Sequence, residues 1–211
     1  MAVEQPVTLV DDGVTLEGDL TVPDGVVGLV LFAHGSGSSR KSPRNRTVAE
    51  SLQDRGLATL LFDLLTVEED RVYENRFDIE LLTERLVSAG KWTRSDPRIA
   101  GLKLGYFGSS TGAAAALRAA ARPEPPVGAV VSRGGRVDLA ADDLANVEAA
   151  TLFVVGGDDS QVLELNRTAF ESLHCEKELH VVPGATHLFE EPGALEEVAD
   201  VAGRWFVTHL S

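Results

Sequence analysis

The sequence predicts an α/β fold, in which a mostly parallel sheet of about seven to eight strands carries helices on both faces and no lid domain. Three observations lead there. Short apolar runs bounded by turn residues alternate with segments whose apolar residues recur at helical spacing. Most of those runs are apolar throughout, as in strands covered on both sides. The chain of 211 residues has no linker, low-complexity tract or internal repeat, so residues 1–211 read as one domain.

The elements follow in order. "VTLV" (7–10) and "VTLEGDLTVP" (14–23), with Asp12-Gly13 between them, read as an antiparallel hairpin. "VVGLVLFAHG" (26–35) is a buried strand, and Ser42-Pro43 opens a helix with an N-cap serine and proline at its first position. That helix turns Val48, Ala49 and Leu52 inward and ends near Gly56. "ATLLFDLL" (58–65) is the next strand, followed by a helix from about Asp78 with Leu82, Leu86 and Ala89 inward. "LKLGYFGS" (102–109) and "TGAAAALRAAAR" (111–122) form a strand and its helix. Three more strands are expected at 127–135, 151–157 and 177–184, with short helices around 141–146 and 161–172 between them. A last amphipathic helix covers roughly 193–209. All connections are expected to be short.

Charge and composition exclude some classes. The formal net charge of −14 argues against nucleic acid and against docking on anionic membranes. One cysteine, Cys175, makes no intrachain disulfide and suits a reducing compartment. The first residues lack a basic region followed by an apolar stretch, and no run approaches a membrane span. The expectation is a cytoplasmic protein of unspecified oligomeric state.

The stretch "GYFGSSTGAAAAL" (105–117) carries the chemistry. Ser110 has glycines at ±2, Gly108 and Gly112, whereas Ser109 has Phe107 and Thr111 there. A nucleophile on a sharp strand-to-helix turn crowds the positions two away, so Ser110 is the candidate. The same turn aims the Thr111 N–H at an oxyanion. A hydroxyl needs a base. His187, in the loop "PGATHLFEEPG" after the last strand, is expected on the same sheet edge as Ser110. His34, His174, His180 and His209 suit structural or surface roles better. A carboxylate must orient the imidazole, and "GGDDSQV" (156–162) offers Asp158 and Asp159, with Asp138 a weaker substitute.

With "AHGSGSS" (33–39), "GSSTG" (108–112), "GGDDSQV" (156–162) and "GATHLF" (184–189), the chain resembles the α/β-hydrolases, and within them the dienelactone-hydrolase-like group. The resemblance runs over nearly the whole chain. It implies a Ser110–Asp159–His187 triad, because Asp159 aligns with the acid of the pattern G-x-x-D-x-x-V. It also implies a second oxyanion donor just past the "HG" turn, at Ser36 or Gly37. Dienelactone hydrolases proper use a cysteine nucleophile, so serine at this elbow resembles the family's esterases. The implied activity is hydrolysis of a small-molecule ester, thioester or lactone, with no metal or organic cofactor. A non-catalytic binder on the same scaffold, or a peptidase, is the alternative.

One motif is left over. "SSRKSPRNR" (38–46) places Arg40, Lys41, Arg44 and Arg46 within seven residues of an acidic chain. It reads either as a solvated loop paired to surface carboxylates or as a dock for an anionic substrate group through Arg40 and Arg44. Arg133 and Arg136 in "SRGGR" are expected to converge on the same mouth.

Overall fold

A computed structural model of the chain describes residues 3–11 and 13–211. Asp12 of the expected hairpin turn lies outside them. The strands are β1 (Val3–Asp11), β2 (Val14–Val22), β3 (Gly28–Ala33), β4 (Leu57–Phe62), β5 (Leu104–Ser109), β6 (Ala129–Arg133), β7 (Ala150–Gly156) and β8 (Lys177–Val182). They form one eight-stranded sheet in the order β1-β2-β4-β3-β5-β6-β7-β8. β2 runs antiparallel to both β1 and β4, and every other pairing is parallel.

The apolar runs explain the middle of the sheet. β3 through β7 are buried along their whole length, whereas β2 is partly exposed and the edge strand β8 largely half-buried. Helices cover both faces: α1 (Pro43–Gln53) packs with α6 (Ala194–Leu210) on one, and α3 (Ile79–Trp92), α4 (Thr111–Ala120) and α5 (Ser160–Ser172) lie on the other. α1 starts where Ser42 accepts a hydrogen bond from Asn45 N–H and Pro43 occupies the first turn. In α4, Ala113–Ala116 are fully buried, so the helix lies close against the strands.

Two connections differ from expectation. Residues 66–77, expected as a short link, contain a capping-box helix α2 (Val67–Asp70), in which Thr66 and Glu69 satisfy each other's backbone N–H, and a 3₁₀ turn (Tyr73–Phe77). The helix expected near 141–146 is instead two 3₁₀ turns, Val137–Ala140 and Leu144–Asn146, segments too short to repay helix nucleation. Among the described residues, no helix is long and apolar enough to cross a membrane.

Candidate active site

Ser110 stands between the end of β5 and the start of α4 with φ 52° and ψ −118°. For a residue with a Cβ this is a strained conformation, held by the surroundings. Ser110 N–H donates to the Arg133 carbonyl at 3.1 Å, while Arg136 N–H and Ala113 N–H both donate to the Ser110 carbonyl. The flanking glycines are sterically required. A Cβ on Gly108 would lie 2.4 Å from Ala113 Cα, and one on Gly112 would lie 2.1 Å from the Ala33 carbonyl oxygen.

His187 follows β8, and Asp159 lies at the start of α5, just after β7. His187 Nδ1 and Asp159 Oδ2 are 2.7 Å apart. A carboxylate only accepts, so Nδ1 carries the proton and Nε2 keeps a lone pair. Gly134, with φ 53°, turns the chain beside the imidazole, where a Cβ would come into van der Waals contact with the His187 ring at 3.4 Å. Gly156 leaves room for the loop, since its Cβ would lie 2.3 Å from the Ala185 carbonyl oxygen. Asp158 is exposed, and Asp138 is bonded to Arg136. His180 faces Glu197, and His209 packs beside Trp205.

Ser110 and His187 open on one cavity of about 260 Å³, shared with Ser36, Ser38, Ser42, Arg44 and Arg133. Thr111 is buried at the N-terminus of α4. The Ser36 amide, expected as a free donor, instead donates to Thr111 Oγ1 at 2.9 Å, because the threonine hydroxyl sits beside the "HG" loop. Arg40 requires a correction. It pairs with Asp63, with Glu17 at 2.6 Å and with Asp19 at 3.4 Å, all on β2 or just past β4, and it is not part of the cavity wall. Arg136 likewise turns to Asp138 rather than to the mouth. Arg44 and Arg133 do line it.

One residue escaped the sequence reading. Asn45, 2% exposed, lines the cavity and accepts a hydrogen bond from Ser109 Oγ at 3.1 Å. Its signal was available: Asn45 begins the i, i+3, i+4, i+7 series completed by Val48, Ala49 and Leu52, so a polar side chain stands where the period expects an apolar one. Phe189 has φ 55° and is 1% exposed, which fastens the His187 loop into the core beneath α6.

Comparison with known proteins agrees with this architecture. A dienelactone hydrolase from Anabaena variabilis is 53% identical and superposes with a TM-score of 0.96, covering 100% of this chain and 99% of its own. Est1E from Butyrivibrio proteoclasticus, at 16% identity and a TM-score of 0.82 over 97% of this chain and 98% of its own, shares the fold. Proteins from two strains of Mycobacterium tuberculosis, provisionally named phosphoribosyl transferases, are 58% identical over 207 residues. That match covers 98% of this chain and 47% of theirs, so the chain spans about half the length of these relatives. Residues 23–205 match the family model of the dienelactone hydrolases, and the chain belongs to the dienelactone hydrolase family.

Proposed function

We propose that the protein is a serine hydrolase that cleaves an ester, thioester or lactone of a small molecule. The observation that carries this reading is a strained serine sharing a cavity with an imidazole whose Nδ1 is fixed by a carboxylate. In the proposed sequence Ser110 Oγ attacks the acyl carbonyl as its proton passes to His187 Nε2, and Asp159 stabilises the imidazolium. The oxyanion is held by Thr111 N–H at the start of α4 and by Ser36 N–H, freed when the Thr111 side chain rotates. Each such donor is worth about 3 kcal/mol of barrier. His187 then protonates the leaving group. A water gives its proton to His187 and its oxygen to the acyl carbon, and Ser110 leaves with the proton returned. The cavity size suits a small substrate. The transferase name of the mycobacterial relatives describes proteins twice as long as the matched stretch and is not carried over.

A fluorophosphonate probe tests this reading. It is expected to label Ser110 in the intact protein, and Ser110→Ala is expected to abolish labelling and to lower ester turnover by roughly 10⁶, with an unchanged circular-dichroism spectrum. Undiminished turnover in Ser110→Ala would overturn the assignment. Absence of labelling would favour the binder.

A further inference from the structure

Most arginines of this protein face a carboxylate; Arg40, Arg46, Arg118 and Arg136 are examples. Arg133 does not. It closes β6 at 7% exposure, and its Nε and Nη1 are fully buried with no hydrogen-bond partner among the described residues. Burial, with help from the nearby Arg44 charge, pushes its pKa down to about 10, so it is still a cation at neutral pH. An unpaired buried cation opposes folding, and no contact among the described residues offsets it. The side chain instead forms part of the wall of the cavity that holds Ser110 and His187.

The rest of that wall has the same character. Arg44, in the first turn of α1, gives Nη1 to the exposed Glu190 at 3.0 Å and leaves a buried Nε unpartnered. Ser42, Arg44 and Asn45 bring the N-terminal turn of α1 to the cavity, and that turn holds no acidic residue to neutralise the positive end of the helix. Ser36 and Ser38 also line it, and the wall contains no carboxylate and one large apolar side chain, Leu188. A long acyl chain has little to pack against here.

Resting on the reading of Ser110 as nucleophile, we propose that Arg133 and Arg44, with the first turn of α1, form a phosphate subsite inside the catalytic cavity. The substrate is then a small ester that carries a phosphate group. Charge and geometry select phosphate over carboxylate. Two guanidinium groups and a helix N-terminus converge, and a dianion with three terminal oxygens engages all three, whereas a carboxylate has one charge and two oxygens. A phosphate settled against Arg133 also gives that cation the partner it lacks.

The test separates binding from turnover. Inorganic phosphate is titrated calorimetrically into Ser110→Ala at neutral pH and low salt, beside acetate. Phosphate is expected to bind more tightly than acetate, and adding Arg133→Met or Arg44→Gln to weaken phosphate at least tenfold, the scale of a lost hydrogen bond to a charged group. Adding Arg40→Gln is expected to leave it within about twofold. Arg133→Met should also keep or raise the thermal midpoint, since it removes an unpaired buried charge. With active protein, acetoxyethyl phosphate is compared with acetoxypropionate and methoxyethyl acetate. The phosphate ester is expected to have the highest kcat/KM, and Arg133→Met to reduce it at least tenfold more than that of the neutral ester. Equal phosphate binding with and without Arg133, or acetate binding as tight as phosphate, would overturn the subsite. Arg133-dependent phosphate binding without hydrolysis of any ester would uphold the subsite and reject the hydrolase reading.

Discussion

In the proposed mechanism Asp159 decides which nitrogen of His187 serves as the base. Its Oδ2, 2.7 Å from Nδ1, accepts the only ring proton of the neutral imidazole and leaves the lone pair on Nε2, the atom proposed to take the proton of Ser110. An amide in its place can donate to Nδ1 and put the proton on Nε2, the wrong nitrogen for a base. Asp159→Asn is therefore expected to lower kcat by about 10⁴, the loss seen for the same change in serine-protease triads. KM and the thermal midpoint should change little, because Asp159 is a half-buried residue outside both the cavity wall and the apolar core. A kcat within tenfold of the parent would show that Asp159 does not orient the base. At the same scale the elbow glycines were legible from spacing alone, since the two positions that the pattern requires are those where a Cβ meets backbone at 2.4 Å and 2.1 Å. The Ser36-to-Thr111 bond was not legible, because it depends on one side-chain rotamer that no pattern encodes.

His34 joins two elements. It lies just past β3, accepts a hydrogen bond from Leu64 N–H beyond β4 through Nε2, and donates from Nδ1 to the Gly35 carbonyl. The bond from Leu64 requires the neutral ring, because it uses the Nε2 lone pair, whereas Nδ1 donates in either state. Burial pushes its pKa below the usual 6.5, although the Gly35 carbonyl and the charges of Asp63 and Asp70 pull the other way. A depressed folded-state value means the unfolded chain binds this proton more readily. The contribution is then complete above pH 6.5 and is lost as pH falls toward the folded-state value. Urea unfolding of the parent and of His34→Gln, measured across that window, is expected to show their stability difference shrinking as pH falls. A constant difference would mean that His34 does not titrate differently on folding. At this scale the eight strands and the long helices were readable from their apolar periods, and the ends were misjudged by a few residues where Gly134 and Gly184 turn the chain with positive φ. The Thr66–Glu69 capping box is written in "TVEE", but no apolar run follows it to mark a helix. Four basic residues in seven also cannot reveal direction: Arg40 turns to Glu17, Asp19 and Asp63, while Arg44 turns to the cavity.

Across the whole molecule the sheet separates two apolar layers and two edges. One layer lies under α3, α4 and α5, the other under α1 and α6. Ser110, Asp159 and His187 gather beyond the carboxyl edge, where sites are expected in parallel sheets. At the opposite edge α6 closes on the middle strand, where a Cβ on Gly105 would meet Phe206 Cε1 at 2.8 Å and Leu210 Cδ1 at 2.9 Å. Gly105 and Ser110 are five residues apart along one strand, or about 16 Å. Phe206 is fully buried, and truncating it to alanine is expected to cost about 3–5 kcal/mol. The same helix begins seven residues after His187, so a loosened α6 has a route to the His187 loop. That route is blocked by contacts the truncation leaves intact. Val198 and Ala202 are fully buried earlier in α6, and Phe189 fixes the loop independently in the same layer. Phe206→Ala should thus lower the urea midpoint strongly while kcat, measured at low temperature where the variant is still folded, stays within about twofold of the parent. A kcat that falls in step with stability under those conditions would show that the far edge of the sheet helps to position His187.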